Sequence, residues 1–409
     1  MHRTTFSLAL VALSAAVLFA AEPAAKPATS PASPYAKWKN GPSAKDDYFP
    51  IAVWLQAPAN AERFKAAGIN LYIGLWKGPT AEQLAALKKP GMSVICDQNE
   101  LALKSPDRGI IVGWMHGDEP DNAQALPGGK GYGPPIAPEK IVADYRRLAA
   151  ADPTRPVLLN LGQGVAWDGW HGRGTRTNHP EDYAEYVKGC DIASFDIYPA
   201  VHDKPAVAGK LWYVGRGVER LGKWAAAAPR EEGRPPRIVW NCIECTRISN
   251  EQVKPTPAQV RAEVWMSIIH GSRGLIYFVH QFKPKFIEAG LLADAEMLAA
   301  VTAINRQVRE LAPVINSPPP AEAAAVMPSS NNAMIASMTR RRDGATYVFA
   351  VSMRDTKTTG SFKVPGAAVG TVEVIGEDRK LQLVGGTFSD NFAGYEVHLY
   401  RIVPIPAGF

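Results

Sequence analysis

The amino-acid sequence predicts an α/β fold, a closed (β/α)8 TIM barrel followed by a small C-terminal β-sandwich. Three observations point there. Eight short runs rich in Val, Ile, Leu and aromatic residues alternate with segments of helical spacing. No Gly-x-Gly-x-x-Gly follows the first run, so nothing favours an open dinucleotide-binding sheet. Beyond Pro313 the helical spacing gives way to short alternating runs punctuated by turn residues.

Met1-His-Arg and the apolar run 6–21 predict a secretory signal over residues 1–21, and hence a periplasmic or secreted protein. Residues 22–45 are expected to form a Pro/Ala-rich linker. The barrel then spans 46–315, with strands predicted at 49–56, 70–76, 92–98, 110–114, 157–162, 192–199, 237–246 and 274–282. Helices are predicted at 59–67, 80–89, 138–151, 180–188, 211–227, 257–270 and 293–311, several opening on Pro or following Ser, Thr or Asp. Only 99–104 separates the third strand from Ser105-Pro-Asp-Arg-Gly, so the helix of that unit is expected to be short or missing. The β-sandwich, 316–409, opens on a Pro/Ala-rich stretch to Pro328. Its strands are predicted at 334–338, 346–353, 361–364, 371–375, 380–384 and 395–402, with turns at Asp343-Gly, Pro365-Gly and Gly385-Gly. It holds no cluster of acidic or histidine residues, so a supporting role is expected.

Composition narrows the functions. The 409 residues are 46% hydrophobic and 21% charged, which is globular. The formal charge of +6 comes from scattered Lys and Arg, and aromatic residues do not interleave with them as a nucleic-acid groove requires. After the signal no run is apolar enough to cross a membrane. Cys96 and Cys242 lie inside predicted strands, Cys190 just before one and Cys245 beyond Glu244, so the four read as buried free thiols. Cys242-x-x-Cys245 has no second pair and no His at ligand spacing; neither a metal nor a cofactor is expected.

Two segments suggest chemistry. Gly113-Trp-Met-His-Gly-Asp-Glu-Pro120 and Val239-Trp-Asn-Cys-Ile-Glu-Cys-Thr246 each end an apolar run with a carboxylate, at predicted strands four and seven. In a parallel barrel, strand C-termini share one mouth, so Glu119 and Glu244 are expected to meet across a substrate as a catalytic pair. One carboxylic acid that protonates a leaving oxygen and one carboxylate that attacks an anomeric carbon constitute a retaining glycosidase. Around them, Trp54, Trp76, Trp167 and Trp170 are candidates to stack on sugar faces, the last two in a long loop after strand five. Asn160, Gln163, His116 and His280 are candidate readers of hydroxyl groups. A carbohydrate is therefore the expected partner, and a non-catalytic glycan-binding barrel is the alternative.

The order of parts resembles clan A of the glycoside hydrolases, retaining β-glycosidases that work by double displacement, and, with the secretory signal, implies an exported β-glycoside hydrolase acting on a poly- or oligosaccharide. By that resemblance Glu119 is the acid/base, Glu244 the nucleophile, and Tyr198 in Asp196-Ile-Tyr-Pro the hydroxyl that hydrogen-bonds the nucleophile. The resemblance also implies an Asn before the acid/base, where this chain has Asp118, and a Trp at strand eight, where it offers Phe278, His280 or Phe282.

Overall fold

The computed structural model describes residues 33–230, 234–330 and 333–404; the expected signal, 1–21, lies outside them. Strands β1 (Ile51–Trp54), β2 (Leu71–Ile73), β3 (Ser93–Asp97), β4 (Ile111–Met115), β5 (Val157–Leu161) and β6 (Ile192–Phe195) pair in sequence order, all parallel. The seventh strand comes in two pieces, β7 (Ile238–Val239) and β8 (Asn241–Glu244), separated by Trp240. The first pairs with β6 and the second with β9 (Leu275–Phe278), which pairs with β1 and completes the ring.

Helices α1 (Ala61–Ala66), α2 (Ala81–Lys88), α3 (Glu100–Lys104), α4 (Pro138–Ala151), α5 (Tyr183–Tyr186), α6 (Trp212–Ala227) and α7 (Pro257–Ile269) follow successive strands. Two more, α8 (Gly290–Ala293) and α9 (Ala295–Ile315), come after the last. The third unit does have a helix, of five residues, capped by the Asn99 side chain. α2 and α7 both start with a capping box, at Thr80/Gln83 and Thr256/Gln259.

Strand side chains divide between two layers. Ala52, Leu71, Ile95, Leu158, Trp240, Cys242 and Ile276 fill the interior, while Val53, Tyr72, Cys96, Leu159, Val239 and Ile243 pack outward against the helices. All four cysteines are buried and free. Within 22–45, Tyr35 and Trp38 are buried; the Tyr35 hydroxyl donates to the Arg273 carbonyl (2.8 Å) and accepts from Trp240 Nε1 (2.9 Å), sealing the floor. Tyr35 and Trp38 thus act as a plug, which the Ala/Pro composition around them concealed.

The C-terminal part holds two antiparallel sheets. β11 (Ile335–Arg342), β12 (Ala345–Ser352), β17 (Val397–Pro404), β14 (Gly370–Val374) and β15 (Arg379–Leu383) form one, in the order β11-β12-β17-β14-β15. β10 (Ala325–Pro328), β13 (Thr358–Lys363) and β16 (Thr387–Phe392) form the other. Asp343 and Gly344, both at positive φ (50° and 76°), make the tight turn between β11 and β12. β10 lies in the Pro/Ala-rich stretch before the first predicted strand, and β16 falls where no strand is predicted.

The larger sheet lies against α7. Phe349, Val351, Val397 and Leu399 belong to the same apolar core as the barrel's outer layer, and the Trp265 ring is 5.1 Å from Phe349. Among the described residues no helix is long and apolar enough to cross a membrane.

Candidate active site

The loop after β4 carries Asp118 and Glu119 into the mouth. Glu119 has φ +44°, a left-handed conformation that costs a non-glycine residue about 1–2 kcal/mol and is held here by its N–H to the Asn160 carbonyl (3.2 Å). Asn122 Nδ2 donates to Glu119 Oε2 (2.7 Å), and Asn122 Oδ1 accepts from Trp170 Nε1 (2.9 Å), so the long loop after β5 braces this carboxyl. Gly162 makes room for it: a Cβ there would stand 2.9 Å from the Asn122 amide and 3.0 Å from Glu119 Oε1. Beneath, the wholly buried Asp121 accepts from the Gly162 N–H (2.9 Å) and the Tyr183 hydroxyl (2.8 Å).

The carboxyl that acts most strongly on Glu119 is Asp196, directly after β6. Burial, then the charge of Asp196 and a hydrogen bond to it, raise the Glu119 pKa well above the usual carboxylate range; Asp118 and Asp121 add to the effect. Asp196 is itself raised to about 7, chiefly by burial, although the hydrogen bond from Glu119 works the other way. Both carboxyls are thus shifted towards their protonated forms, and the contact between them favours the proton on Glu119. Asp118 is exposed to solvent within the mouth, accepts from Asn160 Nδ2 (2.9 Å), and is raised to about 6, mainly by the desolvating walls. The Tyr198 hydroxyl lies beside Asp196, near enough to lower its pKa but without a hydrogen bond of good geometry.

Glu244 belongs to a different group. It is fully buried, and its two oxygens accept from the Ala200 (2.6 Å) and Val201 (3.0 Å) amides of the loop after β6. Burial raises it to about 7, against a hydrogen bond from Glu263 on α7, whose own pKa is pushed well up by burial and by Glu244. The bond expected between Tyr198 and Glu244 is absent; backbone amides take its place.

The remaining candidates divide. Asn160 joins the Asp118 group and also accepts from the Ser194 hydroxyl (2.7 Å). Gln163 bonds His202 (2.8 Å), whose ring stands 5.6 Å from Trp167, itself 6.0 Å from Trp170. Trp76 is 70% exposed on the loop after β2, whereas Trp54 is buried in the barrel interior. His280 is buried 3.1 Å from Gln56 and stacks towards Phe286, and Phe282 and Phe286 are exposed beside it. Phe278 packs 5.2 Å from Tyr198, so a run of Phe and His rings stands where a Trp was expected. His116 does not face the mouth: its Nε2 meets the Gly189 carbonyl (2.8 Å) in the helical layer. Two further tryptophans lie away from the mouth: Trp240 packs at the floor and Trp114 is buried beside Arg155.

Sequence reading missed Asp196, Asn122 and Glu263. Asp196 stands two residues before the Tyr that drew attention to its segment, at the same strand end. Glu263 is the lone acid in Val260-Arg-Ala-Glu-Val-Trp-Met-Ser-Ile-Ile269, and an acid in so apolar a helix needs a partner.

No family model matches the chain, and no curated protein does. Solved structures do. α-Galactosidase I from Mortierella vinacea superposes with a TM-score of 0.54 at 9% identity, over 90% of this chain and 98% of that one. An Anoxybacillus α-amylase gives 0.50 at 10% identity, over 89% and 100%. At such identities the likeness establishes the fold, a (β/α)8 barrel with a C-terminal β-domain.

Proposed function

We propose that the chain is an exported glycoside hydrolase that cleaves a poly- or oligosaccharide with retention of configuration, Glu119 being the acid/base. The observation that carries this reading is the state of the Glu119 carboxyl. A group that protonates a glycosidic oxygen must keep its proton near neutral pH, and Glu119 is raised by burial and by neighbouring carboxylates while Asn122 holds it in place. Rings at the mouth, from Trp76, Trp167 and Trp170 to Phe282 and Phe286, offer flat apolar surfaces for sugar faces, with Asn160, Gln163 and His280 near them as hydroxyl partners. The similar structures are named as an α-galactosidase and an α-amylase, which fits a sugar substrate, although a shared fold does not itself specify a reaction. Export rests on the basic start and apolar run at 1–21.

Retention calls for a second carboxylate ~5–5.5 Å from the acid/base, acting as nucleophile. Position at the end of the seventh strand nominates Glu244, as the clan resemblance implies. The test of the whole reading is hydrolysis of a glycan panel and of 2,4-dinitrophenyl glycosides of both anomeric series. The wild type is expected to turn over at least one glycan, releasing first the substrate's own anomer by NMR. Glu119→Gln is expected to lose about 10²–10⁴-fold on that glycan and much less on the activated aryl glycoside. Glycan binding without any hydrolysis would replace the enzyme by a binding barrel.

A further inference from the structure

We propose that Asp196, rather than Glu244, is the carboxylate that works opposite Glu119. The inference rests on the glycosidase reading and assigns its nucleophile. Asp196 directly follows β6, and its N–H continues the barrel ladder to the Leu161 carbonyl (3.0 Å), so its position is fixed by the sheet. It is partly buried at the C-terminal end of its strand, on the barrel face that also carries Glu119, and close enough for its charge to act on that carboxyl. No amide, guanidinium or hydroxyl donor of good geometry reaches Asp196 Oδ1. Beside it the Tyr198 hydroxyl, on a side chain only 6% exposed, also lacks a partner. Two unsatisfied buried polar atoms at one point of a mouth are what a site leaves open for a substrate to complete. Glu244 offers the opposite: it is 0% exposed, and both its oxygens are occupied by the amides of Ala200 and Val201. An attacking oxygen must reach an anomeric carbon, and an enclosed one cannot.

The chemistry balances with these two groups and water. A carboxylate oxygen of Asp196 forms a bond to the anomeric carbon as the glycosidic C–O bond breaks; its electron pair goes to the leaving oxygen, which takes the Glu119 proton. Water then attacks the same carbon, gives a proton to the Glu119 carboxylate, and the ester bond to Asp196 breaks to restore both groups.

Trapping the intermediate tests this. The full-length protein is treated with 2-deoxy-2-fluoroglycosyl fluorides of the sugar series it hydrolyses, digested, and the labelled peptide sequenced by mass spectrometry. The expected label is on Asp196. A label on Glu244 overturns the assignment while leaving the glycosidase reading intact, whereas a wild type with no hydrolysis on any panel member removes that reading itself. Should the trapped species turn over too fast to isolate, Asp196→Ala supplied with azide is expected to recover from a loss of about 10⁴-fold or more and to give a glycosyl azide. Azide rescue of Glu244→Ala, with none for Asp196→Ala in a protein of wild-type melting temperature, overturns it equally.

Discussion

Two carboxyl pairs in this barrel obey the same electrostatics and differ in what surrounds them. Glu119 and Asp196 both have raised pKa values in the mouth, among loops, with Asp118 open to solvent beside them. Glu244 and Glu263 do too, between β8 and α7, with no solvent at either. In both, two nearby acids in a poorly polarisable place cannot ionise together, so one keeps its proton. A raised pKa therefore marks a functional group only when the group can be reached. On the proposal made above, the enclosed pair serves the scaffold: Glu244 accepts from the amides of Ala200 and Val201, the start of the loop that leaves β6 just after Asp196 and Tyr198.

The sharpest way to break this contrast is to remove the enclosed acid. Glu244→Ala leaves two buried amides without acceptors and a void beside Glu263, and is expected to cost about 3–5 kcal/mol of unfolding free energy in urea titrations. A loss under about 1 kcal/mol would mean that the Ala200 and Val201 amides find other partners.

The enclosed pair should also give stability a pH slope. Glu244 is raised to about 7 in the folded chain from an ordinary value of 4.5, and Glu263 is raised further. A carboxyl raised on folding binds its proton more tightly in the native state. Its stabilisation is complete below the unfolded pKa and is lost as pH climbs through the folded one. Melting temperature should thus rise on acidification from pH 8 towards pH 5, with Glu244 contributing on the order of 3 kcal/mol. Glu263→Gln, which still donates a hydrogen bond to Glu244 but does not titrate, should remove Glu263's share of that slope and leave Glu244's, because burial is the chief cause of the Glu244 shift. An identical slope in the variant would place the titrating groups elsewhere.

The smallest effect belongs to the open pair. Asp118 adds negative charge beside Glu119 and helps hold its proton. Asp118→Asn keeps the shape and removes the charge, so Glu119 should lose its proton at lower pH and the basic limb of the kcat/KM profile should move down by up to about one unit, with activity otherwise largely kept. An unmoved limb would uncouple Asp118 from the acid.

How far the sequence could be read follows the same divide. The eight barrel strands lie where apolar runs placed them because a strand covered on both sides needs apolar residues throughout, and such runs are conspicuous. β16 escaped for the converse reason: its inward residues are Phe388, Asp390 and Phe392, and the buried Asp interrupts the apolar alternation. Asp390 is tolerated there because Arg379 grips it with two bonds (2.9 and 2.8 Å) and Tyr400 donates a third (2.9 Å), from the strands just before and just after β16. At the mouth, Glu119 was visible from its strand end, and so was Glu244. What was not visible is which way each carboxyl goes. That depends on Asn122, on the Ala200 and Val201 amides and on Glu263, partners that only the folded chain brings close.

α7 carries a consequence for how this chain can be cut or recombined. One side of the helix faces the barrel, where Ser267 accepts from Asn241 (2.8 Å) and Glu263 meets Glu244; the other lies under the larger C-terminal sheet, with Trp265 against Phe349 and Arg261 bonded to the Val397 carbonyl (2.8 Å). The β-domain is thus no detachable appendage but the outer wall of the unit that ends in Glu244. Grafting this barrel onto another carrier, or ending the gene at residue 315, would bare the wall and slacken the support of the loop behind Asp196. The useful unit of transplantation is the barrel and its sheet together.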